Sequence, residues 1–400
     1  MFEDRVLNEV RAVGMVDELD HSEDLSHSIN PLNSESLNFL INSVTKDKPR
    51  KVVLVVTDRS RPTPTKELLT NIIPKLRNAG INTYVVVANG THEVELNEVS
   101  EIAEGLNVRV YINEPDSNRH IYMGTTKGGV PIKLLDKVVD ADTTILLGSV
   151  IPHVWAGFSG GSKLLLPGVS ARESTIEHHL KYYNHPNALP GITEENPFRE
   201  EIDYVGDLIS SNANVYAVNV IHGKSSTYFT AGRLKESYLR AIRMAESTYV
   251  NEVNDKYDVL VVDGRPLNMS LYQSIKAVFN NLSISNNDSS IILISRSLGK
   301  CPKEFLEALE SDDVPVDGLI HKGVKDLIPY LVAYSLREKL RYRSLVVLTN
   351  DSITYRKFGP LTITNKYDFV VEEIKKRYKA GSKICIIRDG AKYINFNRKH

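Results

Sequence analysis

The feature that most constrains this chain is a regular alternation of short β-branched runs with amphipathic stretches at helical spacing. Lys51 to Val56, Thr83 to Ala88, Val108 to Ile112 and Thr143 to Val150 are apolar runs of strand length. Between them, Thr65 to Asn78 and Leu96 to Glu104 carry apolar residues three and four apart, and Gly80 and Gly105 follow as glycines that can close a helix in the left-handed conformation. Strand, helix, strand in this order predicts parallel sheets covered by helices. A second series opens at Asp258 to Val262, continues through Ser290 to Ser295 and Ser344 to Thr349, and finishes near Lys383 to Ile387.

At 400 residues the chain exceeds what one core usually organises. The expectation is an α/β protein of two Rossmann-like, doubly wound domains with the active site in the cleft between them. The helical pattern Leu234 to Ala245 gives way to a mostly polar stretch, Glu246 to Lys256, so the boundary is placed there. The domains are then 1–252 and 253–390, with 391–400 a tail that returns to the first domain or frays. The Asn- and Ser-rich segment Asn280 to Ser290 reads as a loop.

Composition excludes several classes. Lys plus Arg (49) nearly balances Asp plus Glu (50), so no net field draws the chain to nucleic acid or anionic lipid, and a small-molecule partner fits better. No apolar run approaches the ~20 residues of a membrane span, and MFEDRVLNEV lacks the basic start and apolar stretch of a signal peptide. The expected compartment is the cytoplasm, with no membrane partner. Cys301 and Cys385 stand far apart without a CxxC or Cys/His zinc spacing, so both are expected to be reduced thiols. Oligomeric state is not legible.

Ligands of open parallel sheets bind beyond the carboxyl ends of the strands. There the first strand runs into Asp58-Arg59-Ser60-Arg61-Pro62-Thr63-Pro64, the second into Asn89-Gly90-Thr91-His92, and the run to Val150 into Ile151-Pro152-His153. Two histidines thus reach one sheet edge beside an Asp and an Arg. Imidazoles titrate near neutrality and serve as acid or base, although a lone histidine after a strand is more often a packed or surface residue. Next comes Ala156-Gly157-Phe158-Ser159-Gly160-Gly161-Ser162-Lys163. It is not a Walker A loop, because Ser162 precedes the lysine and Leu164 follows it. Its glycines, Gly160 and Gly161 among them, would let backbone approach a ligand, and Lys163 is open as an electrostatic contact, a covalent anchor or a solvated turn residue.

Glu173 to Tyr183 reads as a helix on which His178 and His179 point about 100° apart, so at most one is a metal ligand. Without further context both read as structural, and no HExxH or second carboxylate supports a zinc site. In the second series, Leu271 to Ala277 starts a helix on which Gln273 and Lys276 share a face beside Tyr272. An amide and a cation together could grip a carboxylate, or form a solvated face.

Taken in order and spacing, Asp58 to Pro64, Gly90 to His92, Pro152 to Lys163, Leu166 to Ser170 and Tyr272 to Lys276 resemble the nickel-dependent lactate racemase family, whose members act on 2-hydroxy acids as racemases or epimerases. The resemblance implies that 1–252 is the cofactor-binding and catalytic domain. It implies a nickel-pincer nucleotide attached at Lys163, with His179 as the protein ligand of the nickel and His92 and His153 as paired acid/base residues. Asp58, Arg61, Gly160 and Gly161 would contact the cofactor, while Arg61, Tyr272, Gln273 and Lys276 would hold the substrate. The implied reaction removes the hydroxyl proton to a histidine and the α-hydrogen as hydride to the cofactor, leaving a planar 2-oxo acid that is reduced on its other face. Cofactor-synthesis proteins are then necessary partners.

Two departures bear on the substrate: Glu93 stands where family members often carry Arg, and His178 replaces the usual Asn before the nickel-binding histidine. An Asn-Pro-x-Arg-Glu pattern at Asn196 to Glu200 recurs without an assigned role. A non-catalytic or cofactor-free homologue binding a nucleotide or hydroxy acid is the main alternative. A nicotinamide dehydrogenase is disfavoured because the first domain has no GxGxxG, and zinc hydrolysis at His178 and His179 would demand stoichiometric zinc.

Overall fold

The computed structural model describes residues 8, 11, 16–19, 34–92, 94, 96–224, 226–299, 301–310, 326–352, 355–377 and 381–397. Most of MFEDRVLNEV, and Glu93, lie outside the described residues. The βα series folds into two sheets. In the six-stranded sheet the spatial order is Thr227–Arg233, Asn214–His222, Thr143–Ser149, Lys51–Thr57, Asn82–Ala88 and Arg109–Ile112. All neighbours are parallel except the first pair. Thr143–Ser149 is buried at every position, as a strand covered on both faces must be. Along Lys51–Thr57 successive side chains serve opposite cores. Val52, Leu54 and Val56 meet Leu68, Ile72 and Leu76 of the helix Thr65–Asn78, whereas Val53 and Val55 join Leu164 to Leu166, Phe198 and Ile202.

The seven-stranded sheet runs Val16–Leu19, Ile384–Ile387, Tyr257–Asp263, Ser285–Ile294, Ser344–Leu348, Leu361–Thr364 and Arg356–Phe358, parallel but for the last pair. Its edge strand therefore comes from the start of the sequence. The buried cluster holding Val53 and Val55 also holds Val262, Leu293 and Phe305, so one apolar core passes from one sheet to the other. Ile394–Phe396 of the tail pairs in parallel with Val250–Glu252, and Asn395 Nδ2 donates to Asn281 Oδ1 at 2.5 Å.

The segment Asn280 to Ser290 is not a loop. The helix Lys276–Asn281 ends in it, a 3-10 turn spans Leu282–Ile284, and the strand starts at Ser285. Two of its asparagines find partners inside the structure: Asn280 Nδ2 donates to the Gly390 carbonyl at 3.1 Å, and Asn286 Nδ2 to Asp258 Oδ1 at 2.7 Å across a register shift. Both cysteines are free, Cys385 buried and Cys301 half-buried. Among the described residues no helix is long and apolar enough to cross a membrane.

Candidate active site

The carboxyl ends of three neighbouring strands build one wall. After Lys51–Thr57, Asp58 is buried, and its Oδ1 accepts from Ser60 N at 2.9 Å and from the Ser60 hydroxyl. His92 Nδ1 donates to Asp58 Oδ2 at 3.1 Å. Burial pushes the Asp58 carboxyl up, but the hydrogen bond and charge of His92, with Arg61 and Ser60, outweigh it and hold the group at about 2. Asp58 is thus an anion that orients the His92 ring. The turn carrying His92 is pinned by Asn89 Nδ2 to the His92 carbonyl (2.6 Å) and by Gly90 N to the Gly168 carbonyl (2.9 Å).

After Thr143–Ser149, the pairs Pro152–His153 and Gly157–Phe158 form a tight antiparallel hairpin. Gly157 has φ +70°, and a Cβ there would lie 2.4 Å from the Ile192 carbonyl oxygen. The intervening turn directs backbone N–H groups at His153, whose Nδ1 accepts from Ala156 N at 3.1 Å and Trp155 N at 3.3 Å. Burial, then the positive charges of Lys163, Arg61 and Lys276, push the His153 pKa well below its ordinary value.

The Gly-rich segment is packed rather than open. Gly161 has φ +55°, and a Cβ on it would come within 2.6 Å of the Tyr238 ring. Gly161, expected among cofactor contacts, therefore faces Tyr238 and lies outside the cleft lining, whereas Gly160 lines the cleft. Residues that the sequence reading missed hold this segment. Asn219 Oδ1 accepts from Gly161 N (3.3 Å), and Tyr238 donates to the Ser159 carbonyl (3.1 Å). Arg199, buried and paired with Asp203, stacks on Tyr238 at 4.1 Å. Only the Asn-Pro-x-Arg-Glu pattern hinted at any of them. The result places Lys163 in the 3-10 turn Gly161–Leu164, where burial and the charges of Arg61 and Arg199 lower its amine to about 7.

On the helix Arg172–Tyr182 the adjacent histidines divide as their 100° separation requires. His178 Nε2 donates to the Phe198 carbonyl at 2.9 Å, a structural bond, and the ring lies outside the cleft lining. His179 lines the cleft, its Nδ1 donating to the Thr175 carbonyl at 2.7 Å and leaving Nε2 with a lone pair. The Trp155 ring sits 5.6 Å from it. From the helical turns that follow Tyr257–Asp263 of the other sheet, Lys276 Nζ donates to Gln273 Oε1 at 2.5 Å, so the two do share a face, and both line the cleft with Tyr272. Burial, Arg61 and Lys163 push the Lys276 amine well below its ordinary value. Ile328 and Val332, also unforeseen, add an apolar wall.

Asp58, Arg61, His92, His153, Gly160, Lys163, His179, Tyr272, Gln273 and Lys276 thus border one cleft of about 1080 Å³, counted out to its open mouth. Three basic side chains, Arg61, Lys163 and Lys276, face one carboxylate, Asp58; the two lysine amines are depressed by burial and by neighbouring positive charge in the empty cleft, and an anionic ligand beside them would favour their charged forms. Among the described residues no group of three or more His, Cys, Asp or Glu side chains could hold a metal ion, so any metal here would need donors from a bound group.

Comparison with known proteins finds relatives along most of the chain. Residues 2–191 match the lactate racemase N-terminal domain. The lactate racemase of Thermoanaerobacterium thermosaccharolyticum is 23% identical over 390 residues, covering 91% of this chain and 88% of that protein. That of Lactiplantibacillus plantarum is 22% identical over 384 residues, covering 90% and 87%. The solved apoprotein of the Thermoanaerobacterium enzyme superposes with a TM-score of 0.79 at 20% identity, over 95% of this chain and 94% of that one. A Thermotoga maritima protein superposes at 0.66 and 18% identity, over 93% and 100%.

Proposed function

The chain belongs to the lactate racemase family, a family of isomerases, and from that premise we propose that it inverts the hydroxyl-bearing carbon of a 2-hydroxy acid using a nickel-pincer nucleotide. The observation that carries the reading is the convergence of Lys163, His179, His92 and His153 on one cleft that Lys276 also lines from a helix beside the second sheet.

The residues present fit that group. Lys163 offers an amine lowered to about 7, neutral enough near physiological pH to form a covalent bond. His179 offers one imidazole lone pair, its other nitrogen fixed by Thr175 as metal-binding histidines usually are. Arg61 lies where a phosphate or a carboxylate would find a cation. When bound, the group supplies a hydride acceptor, a task no side chain performs.

The chain's own side chains do the rest. Lys276, with its amide neighbour Gln273, holds the substrate carboxylate, and Ile328 and Val332 shield the substrate carbon from water. His92 and His153 face the hydroxyl oxygen, and the Asp58 anion stabilises the imidazolium that His92 becomes on taking its proton.

Native mass spectrometry of protein produced with cofactor-synthesis proteins, beside a characterised family member, tests the reading. A nickel-bearing nucleotide adduct that disappears in Lys163→Ala supports it. A bare protein beside a loaded relative would put the cofactor-free binding protein in its place.

A further inference from the structure

The loop that carries Asp58 and Arg61 contains Pro62 and Pro64, which bring no N–H, so side chains take over part of its fastening. The Thr63 hydroxyl is the hub. Its oxygen accepts from Thr57 Oγ1 at 2.9 Å and from Ser149 N at 3.0 Å, which uses both lone pairs. The Thr63 hydrogen is then left for Ser149 Oγ, 3.0 Å away, and Ser149 sends its own hydrogen on to His222 Nε2 at 3.1 Å. With Nε2 accepting, the neutral ring carries its hydrogen on Nδ1. The ring also bonds to the Pro62 backbone, which has only a carbonyl to offer, so this bond is a donation that closes the chain on the loop. His222 ends the strand Asn214–His222, where its N–H donates to the Tyr249 hydroxyl at 2.8 Å. Burial lowers its pKa, and so does the charge of Lys392, whose Nζ donates to the adjacent Gly223 carbonyl at 2.8 Å; both favour the neutral ring that the chain of bonds requires. On the cleft side of this strut, Arg61 Nη1 donates to Ser60 Oγ at 2.9 Å, and its charge acts on Asp58, His153, Lys163 and Lys276. A displacement of the loop would therefore change the charge balance of the whole cleft.

We propose that His222, which lies outside the cleft lining, is a positioning residue that holds Arg61 in the cleft through Ser149, Thr63 and the Pro62 carbonyl. The place of Arg61 is a property of the empty protein; its consequence for turnover rests on the reading of the site as a 2-hydroxy acid racemase. The imidazole is suited to the task because it accepts on one nitrogen and donates on the other. Phenylalanine would keep the ring and do neither, leaving the Ser149 hydrogen and the Pro62 carbonyl without their partner, and the loop would move to find others. Glutamine keeps one acceptor and one donor. Asp58 is held separately, by Ser60 and His92, so loosening the strut acts first on Arg61.

The pH at which Lys163 of the empty protein becomes acylated reads the place of the Arg61 charge, with no cofactor needed. Arg61→Met should move the half-point from about 7 upward by about one pH unit, because a positive neighbour is gone. His222→Phe should move it by a similar amount, the double variant no further, and His222→Gln should bring it back close to wild type. Thr63→Val removes the hub while keeping the side-chain shape; it should act as His222→Phe does, and it decides the matter where the phenyl ring disturbs folding. The inference is overturned by a half-point that Arg61→Met leaves in place, by one that His222→Phe and Thr63→Val leave in place, or by a double variant in which the two effects add. In loaded enzyme, His222→Phe should lose about tenfold in kcat/KM, divided between kcat and KM as in Arg61→Met, with His222→Gln recovering most of it. A different division, or no recovery, contradicts positioning through Arg61. A loaded wild type that turns over no 2-hydroxy acid sinks the racemase reading itself, and the labelling series still decides what holds Arg61.

Discussion

Lys163 shows how far one side chain's chemistry is set by its neighbours. An amine at about 7 instead of the usual 10.5 is largely free base at pH 8, so Lys163, like its cleft neighbour Lys276, should be acylated at a lower pH than the surface lysines of the empty protein, with a half-point near pH 7 in a mass-mapped labelling series. A half-point near 10 would remove it as a poised nucleophile. The same shift bears on stability. The folded protein resists protonating this amine, so the unfolded chain binds more protons between about pH 7 and 10.5, and stability must fall as pH drops through that window and stay low below it. Lys163→Met should flatten that part of the profile in urea denaturation; an unchanged slope would show that the amine is not held neutral. His179 was legible only through resemblance to a family, because sequence spacing says that two adjacent histidines diverge but not which one finds the Thr175 carbonyl and the cleft.

At the scale of elements, the strand ends were the readable part. Asp58, His92 and His153 were expected at one sheet edge from strand periodicity alone, and all three border the cleft. What periodicity could not show is how loops are held. Gly160 and Gly161 look alike in sequence, yet Gly161 is required by the Tyr238 ring contributed by a helix 77 positions later. Gly161→Ala combines positive φ with a 2.6 Å approach and should destabilise the fold by about 1–3 kcal/mol in equilibrium unfolding. A neutral substitution would mean the turn has room to move. Asn280 to Ser290 was misread because polar residues usually mark solvent. Here Asn280, Asn281, Ser285, Ser289 and Ser290 are all buried, and Asn280, Asn281, Ser285 and Ser290 find partners in elements distant in sequence.

For the whole molecule, the two βα series do not act separately. One buried cluster passes between the sheets, and the cleft takes Asp58, His92 and His153 from the strand ends of one and Lys276 from a helix packed on the other. Lys276→Met should therefore leave cofactor loading intact but cost about 10–100-fold in kcat/KM, the worth of a charge-assisted hydrogen bond to a carboxylate. Loss of loading instead would assign Lys276 to the cofactor. The central claim is that the hydroxy-acid carbon is inverted by internal hydride transfer. Its most direct test gives the loaded protein a single enantiomer of a 2-hydroxy acid carrying deuterium on the α-carbon, in ordinary water. The account predicts racemic product with the deuterium retained, because the hydride leaves and returns without meeting solvent. Racemisation with the deuterium washed out would mean proton abstraction at carbon and would contradict it.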